Sequence, residues 1–389
     1  MKTLGAQRAG RLQLVGVIQE QHPDRCRLFM QWKRMDWPVL VDSLNLAGLE
    51  VVPVAYAIDE QGIVRYVNPS ASEIEAFLDA PGTEVGKPLP SSGPPDLAGL
   101  LDRARSGGAS GWRDYGDGLF LWGGEARLDG AIGAYEKAVQ GGPDAGSTHF
   151  RLGTAYRRRY DSRHRQGGDF QRAAAHWARA VELEPNQYVW RRRLQQYGPR
   201  LDKPYAFYDW VDEARRDIRA RGEEPAPLLA EPGGAEIAAP AERFDPQPPS
   251  HREPDPEGRI RRDPGRFVGI ETAVVPPAVK PGQVARVHLV FRPNHAVDAH
   301  WNNEGGPLRV WVEPAHGWTG DRQELKAASP PDAVSTETRE LQLELRAPGG
   351  AGPGRVRVPA YALYYVCEGA TGTCLYRRQD IGVPVEVRP

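Results

Sequence analysis

Two of the three cysteines of this 389-residue chain flank a six-residue stretch in YYVCEGATGTCLYRRQD, Tyr364 to Asp380. Cys367 and Cys374 could be a structural staple, half of a metal site or a reversible dithiol. A closed zinc site needs four ligands, and His295 and His300 are the only histidines near enough in sequence to help, so no metal or other cofactor is expected. A staple across so short a loop would stabilise by about 2.5 kcal/mol in the chain-entropy model. A domain of this size has core enough to fold without one. The connecting EGATGT is small and flexible, which would leave both sulfurs open to a thiolate attacking in line. Staple and redox pair therefore both stand. No residue is an obvious base beside either thiol. Tyr364, Tyr365 and Tyr376 either pack across strands or offer a phenol hydroxyl to a sulfur. The third cysteine, Cys26, reads as a small apolar residue on the buried face of a helix rather than a peroxidatic or resolving thiol.

The pair needs strands to hold it, and the residues around it alternate with period two. VARVHLVF puts Ala285, Val287, Leu289 and Phe291 on one face. ELQLELR does the same with Leu341, Leu343 and Leu345, and IGVPVEV with Ile381, Val383, Val385 and Val387. Turns such as KPGQ and PGGAGPG break the runs. The pattern predicts an antiparallel two-sheet sandwich over 265–389.

Upstream, the periodicity changes. AIGAYEKAVQGGP (Ala131–Pro143) and AAAHWARAVELEP (Ala173–Pro185) share a template of alanine, aromatic (Tyr135, Trp177), alanine (Ala138, Ala180) and proline. HFRLGTAY adds Leu152, Gly153 and Tyr156, and VWRRRLQQYG and FYDWVDEARRDIRARG predict capping helices. The arginines here (Arg157–Arg159, Arg163, Arg165, Arg191–Arg193) read as a solvated helix face, with an anionic-peptide surface as the sharper alternative. GGPDAGS follows a helix and lacks a lysine, so it is a turn rather than a phosphate loop. No Ser/His/Asp triad is credible.

The first segment alternates strand and helix. LQLVGVI is a near-continuous apolar run, as in a strand buried on both faces. HPDRCRLFMQWKRM predicts a helix, and VVPVAYAIDEQGIVRYVNP two strands, Val54–Ile58 and Ile63–Tyr66, about a DEQG turn. SEIEAFLDA predicts a closing helix. Between the segments, 81–110 and 223–264 read as linkers; the second holds ten prolines between Pro225 and Pro264.

Three resemblances follow. VVPVAYAIDEQGIVRY resembles the second half of a thioredoxin-like domain of the redoxin type, with Pro53 at that family's usually cis proline. The resemblance implies that Val52 and Pro53 shape a partner-facing loop. The family's first strand and Cys-x-x-Cys have no counterpart here, which leaves LQLVGVI without its central neighbour and leads to the expectation that Met1 is internal to a longer reading frame or that the chain is a fragment. The helical spacings resemble tetratricopeptide repeats. VKPGQVARVHLVFRPNHAVDAHWNN, VRVPAYALYYVC and the C-x6-C hairpin resemble the N-terminal immunoglobulin-like domain of the DsbD/ScsB thiol-disulfide transporters. There two cysteines across a hairpin shuttle between dithiol and disulfide, a role the resemblance carries to Cys367 and Cys374.

The expected organisation is therefore α/β, then all-α, then all-β: a thioredoxin-like domain (1–80), a linker (81–110), helical repeats (111–222), a proline-rich linker (223–264) and an immunoglobulin-like β-sandwich (265–389). The expected function is thiol-disulfide exchange with a protein partner, with peptide or protein docking on the repeats. The alternative is a non-enzymatic scaffold with an inert redoxin remnant and a structural disulfide. Fifty basic against 51 acidic residues give a formal charge of -1, so neither nucleic acid nor an anionic membrane is an expected partner. No apolar run reaches a membrane span, and no signal peptide is legible. The expected location is cytoplasmic as written, and periplasmic if coding sequence precedes Met1.

Overall fold

A computed structural model describes residues 10–80, 93–201, 210–233, 243–246, 252–313, 317–369 and 372–389. The expected linker stretch 81–92, much of the proline-rich segment and the first residues of FYDWVDEARRDIRARG lie outside the described residues, as do residues 1–9. The protein is mixed α/β and divides into two compact units. One holds Met1–Ala155, Ala180–Arg191 and Glu213–Pro227; the other holds Tyr156–Arg179, Arg192–Asp212 and Leu228–Pro389.

The first unit opens with β1 (Gly16–Ile18), α1 (Asp24–Lys33), β2 (Val39–Val41), β3 (Tyr56–Ile58), β4 (Val64–Val67) and α2 (Ala71–Asp79). β1 pairs parallel with β2, and β3 pairs antiparallel with β4, as two separate two-stranded sheets. LQLVGVI is thus not buried on both faces: Val15 and Val17 are half exposed, because β2 is the one strand paired with β1 among the described residues. The DEQG turn forms as its residue types dictate. Asp59 Oδ1 accepts the N–H groups of Gln61 and Ile63 at 2.9 Å, and Gly62 takes φ 78°, open to glycine at no steric cost. Ser70 and Glu73 close a capping box on α2. In α1 the buried residues are Asp24 and Leu28, while Cys26 is only half-buried and Phe29 is exposed. The Cys26 side of this helix is therefore not its core face.

Helices follow: α3 (Leu97–Trp122), α4 (Leu128–Gly141), α5 (Gly146–Tyr160), α6 (Asp169–Leu183), α7 (Tyr188–Gln195) and α8 (Trp210–Ala220). Residues 97–110, expected as linker, belong to α3. Asp96 caps it by accepting the Ala98 N–H at 3.1 Å, and Leu97, Leu100 and Ala104 give it an apolar face. Gly108, at φ 64° and ψ -147°, breaks the helical path. The chain then doubles back, so that a Cβ at Gly118 would meet Leu97 and Leu100, and one at Gly111 would meet Ala104. Tyr135 of α4 is fully buried against Gly116, and its hydroxyl donates to Asp117 at 2.7 Å. Phe150 stacks on Trp190 at 5.3 Å. Trp32 of α1 donates to Asp217 of α8 at 2.8 Å.

In the second unit the arginine run departs from the solvated face expected of it. Arg157 is fully buried, with its guanidinium 4.7–5.1 Å from the rings of Tyr160, Phe170 and Tyr197. Asp161 pairs with it at 3.2 Å, and its Nη2 donates to the Pro232 carbonyl. Arg159 forks onto buried Asp169 at 2.6 and 3.0 Å. A flat, weakly hydrated guanidinium tolerates such burial where an ammonium would not. Arg193 is buried over Trp177; Arg158 and Arg163 are exposed.

The β part of this unit has two sheets that share one apolar core. β7 (Val284–Pro293) lies between β5 (Val268–Val275) and β13 (Arg339–Arg346), with β10 (Thr319–Gly320) at one edge. The larger sheet runs β11 (Glu324–Lys326), β9 (Arg309–Val312), β14 (Gly354–Glu368), β15 (Cys374–Val387) and β6 (Ala278–Val279). β8 (Ala299–Asn302) pairs with β14, and β12 (Val334–Ser335) with β8. The apolar residues that the three alternating runs turn to one face all enter the core. The pairing is antiparallel except between β6 and β15, which is parallel, a departure from the strictly antiparallel sheets the alternation predicts. The other face of β7 is covered too. His288 is buried against Phe170 and Tyr197, and its Nε2 lies 2.7 Å from the Tyr197 carbonyl.

The stretch 252–264, expected as open linker, is held against the β sheets. Asp255 and Asp263 are buried, and Arg262 bridges to Arg378 in parallel. Two carboxylates account for this. Asp255 takes the Arg378 guanidinium at 2.9 Å, and Asp263 collects backbone N–H groups.

Candidate functional site

β14 and β15 pair without a break from Gly354↔Val387 to Cys367↔Cys374. The register sets the two cysteines directly opposite, Cα atoms 4.0 Å apart, and they form a disulfide. Period two decides which face the bond occupies. Val358, Ala360, Ala362, Tyr364 and Val366 enter the core. Tyr361, Leu363, Tyr365 and Cys367 alternate with them and lie on the opposite face of the sheet.

The two sulfur-bearing residues differ in access. Cys367 is 2% exposed, whereas Cys374 is exposed. Ala370 and Thr371 of the connecting loop lie outside the described residues.

Along the same face, Tyr365 and Tyr376 are the next opposed pair, their rings stacked at 4.4 Å with 24° between planes. Gly305 is required there, since a Cβ on it would sit 2.5 Å from the Tyr365 ring. Further on, Trp311, Tyr361 and Leu363 form a small apolar cluster with Ile260 and Tyr376. Arg378 lies over Tyr361 at 3.7 Å. Burial opposes the charged form of Asp255, but the Arg378 guanidinium and the N–H groups of Arg259 and Ile260 outweigh it and hold the carboxyl below its usual range. Burial, together with Tyr365 and Asp255, pushes the Tyr376 phenol up.

Tyr364 does not offer its hydroxyl to sulfur. It donates to Asp263 Oδ2 and lies 2.8 Å from Gln379 Oε1 as well. Asp263 also accepts the N–H groups of Gly265, Arg266, Phe267 and Val268 at 2.7–3.3 Å. Burial first, then this carboxylate, push the Tyr364 phenol far up. The clamp ties residues 263–268 to the hairpin three positions before Cys367.

On the other side of Cys367 stands His300 of β8, its direct partner in register. Sequence reasoning weighed His300 only as a zinc ligand. The legible signal was the alternation in DAHWNN, which turns Trp301 inward and His300 to the disulfide's face. Among the described residues, no group of three or more His, Cys, Asp or Glu side chains is placed to hold a metal ion.

The structure thus joins Cys367 and Cys374 in one bond. Val52 and Pro53 belong to the other unit; both are exposed, and the peptide between them is cis. Among the described residues no helix is long and apolar enough to cross a membrane.

No family model matches the chain, and no curated protein matches it. Several solved structures are weakly similar. AvmM, which catalyses macrocyclization in alchivemycin A biosynthesis, is 14% identical, with 36% of this chain and 98% of that one covered at a TM-score of 0.20. The bacterial hydrophobin BslA is 12% identical, with 32% and 96% covered at 0.16. AggA, the major subunit of aggregative adherence fimbriae type I from Escherichia coli, is 11% identical, with 33% and 98% covered at 0.18. Likeness this slight carries no argument about what the chain does.

Proposed function

We propose that the protein exchanges thiols and disulfides with a protein partner, Cys367 and Cys374 forming the reversible bond. The observation that carries this reading is the asymmetry of the pair, an exposed Cys374 bonded across the hairpin to a buried Cys367. An incoming thiolate attacks the Cys374 sulfur, the Cys367–Cys374 bond breaks, and the electron pair leaves on Cys367 Sγ. The mixed disulfide is then held at Cys374 until a second thiol of the partner attacks the partner's own sulfur and releases Cys374. In the opposite direction Cys374 attacks a partner disulfide, and Cys367 resolves the mixed disulfide by closing the Cys367–Cys374 bond and expelling the partner thiolate. The resemblance of the hairpin to the DsbD-type immunoglobulin-like domain supports the reading. So does the strand and helix order of the first unit, which we take as thioredoxin-like, with Val52 and Pro53 on an exposed loop for a protein partner. The helical hairpins, taken as tetratricopeptide-type, supply docking.

The burial of Cys367 favours a second reading, in which the disulfide is a staple and the helices are a scaffold. With Cys26 replaced by serine, Cys374 in a Cys367→Ala variant should react with an aromatic disulfide reagent at least about tenfold faster than Cys367 in Cys374→Ala, since reactivity follows access. Equal rates, or no reaction of either, would remove the exchange reading.

A further inference from the structure

The exchange step puts negative charge on Cys367 Sγ, a buried atom. Unpaired charge in such a place is costly, so a proton donor beside it would speed the step. The residue opposite Cys367 on its free side is His300. Side chains directly opposite on antiparallel strands share a face, with Cβ atoms about 4.5–5.5 Å apart. Cys374, Cys367 and His300 therefore form one row across β15, β14 and β8.

The register of β8 is pinned by its neighbour. Trp301 is fully buried, meets Tyr364 edge-on at 6.0 Å and donates its Nε1–H to the Glu337 carbonyl at 2.8 Å. The imidazole Nδ1 of half-buried His300 lies 3.3 Å from the Asp298 carbonyl oxygen. An Nδ1–H donated there fixes the tautomer and leaves Nε2 to gain and lose a proton.

We propose that His300 is the proton-transfer partner of Cys367 in this exchange. As the Cys367–Cys374 bond breaks, the imidazolium gives its proton to the departing Cys367 sulfur. When Cys367 resolves the mixed disulfide, the neutral imidazole takes the proton back. The role rests on the exchange reading of the cysteine pair.

Other charged and titratable groups near the row are engaged or differently placed. On β14, Glu368 is ion-paired with Arg266. Past β12, Glu337 is paired with Arg339 at 2.9 Å. Asp298 reaches the ring through its backbone carbonyl. His295 sits in the short 3-10 turn before β8. Tyr365 and Tyr376 are stacked on each other, the Tyr376 phenol pushed up by burial.

The test is single-turnover reduction of the oxidised full chain by dithiothreitol between pH 5 and 9, with rates divided by the reagent's thiolate fraction. Wild type should show a corrected rate that falls as pH rises across this range, because the donor loses its proton. His300→Gln should be slower by at least about tenfold at pH 6 and flat across that range. Added imidazole should restore part of the rate to His300→Ala, a readout that misfolding would not give. Equal rates and equal pH profiles for wild type and His300→Gln would overturn the role while leaving exchange intact. A wild-type disulfide inert to dithiothreitol in the folded chain would remove the exchange reading, and the role with it.

Discussion

Replacing Tyr364 with phenylalanine tests whether the hairpin that carries the disulfide is held by the Asp263 clamp. The substitution keeps the ring in the core and deletes one hydroxyl. That hydroxyl lies 2.8 Å from Asp263 Oδ2, and the backbone N–H groups of Phe267 and Val268 reach the same oxygen at 3.1 and 3.3 Å. The carboxylate therefore keeps partners and is not stranded; what is lost is its shortest contact on that oxygen. A hydrogen bond to a charged group contributes about 1.5–3 kcal/mol, so Tyr364→Phe should cost about 2 kcal/mol. For a unit of this size that is a fall of roughly 4–8 °C in melting temperature. Asp263→Asn should cost a similar or larger amount, and the double variant should cost less than the sum, with a coupling of about 1–2 kcal/mol. Thermal unfolding of the oxidised protein, followed by near-ultraviolet circular dichroism, reads all three. A Tyr364→Phe variant within about 0.5 kcal/mol of wild type, or strict additivity in the cycle, would refute the clamp.

Two further outcomes follow, one from a buried histidine and one from a strained glycine. Burial first, and Arg286 with it, hold the His288 pKa below its usual 6.5, against the pull of Glu340 and the Tyr197 carbonyl. The unfolded chain then binds a proton that the folded one refuses, so stability is full above about pH 6.5 and is lost as pH falls through the unfolded value. The melting temperature of wild type should drop between pH 7 and 5 more than that of His288→Gln, and equal slopes would contradict it. Gly108→Ala should destabilise the first unit by about 1–3 kcal/mol, because φ 64° with ψ -147° is a region that side chains with a Cβ rarely adopt. An unchanged melting profile would show that this turn is not held as described.

The β faces were legible because alternation is a strong signal when one face is buried. Each residue that the three runs turn inward lies in the core. His288 was not legible, because its face of β7 is covered by Phe170 of α6 and by Tyr197 in the turn after α7, and period two says nothing of what lies outside a sheet. Arg157 and Arg159 misled for a related reason. Charge is read as exposure, yet a guanidinium with stacked rings and a carboxylate partner is stable inside. The helix over residues 97–110 has its own local signals, Asp96 as a cap and the Leu97, Leu100, Ala104 spacing as an apolar face, so the expected linker ends at Asp96. At the site, the sequence offered both cysteines and their hairpin. The row with His300 depends on the β8–β14 register, which is a pairing across more than sixty residues of chain that local pattern does not encode.

The central claim is that the Cys367–Cys374 bond opens and closes in the folded protein, and its reduction potential tests that most directly. The measurement uses the full chain with Cys26 replaced by serine, equilibrated in glutathione or dithiothreitol buffers and quantified by thiol alkylation. The account predicts a value among the exchanging couples, between about -180 and -270 mV. A value below about -300 mV would mark the bond as a staple and contradict it.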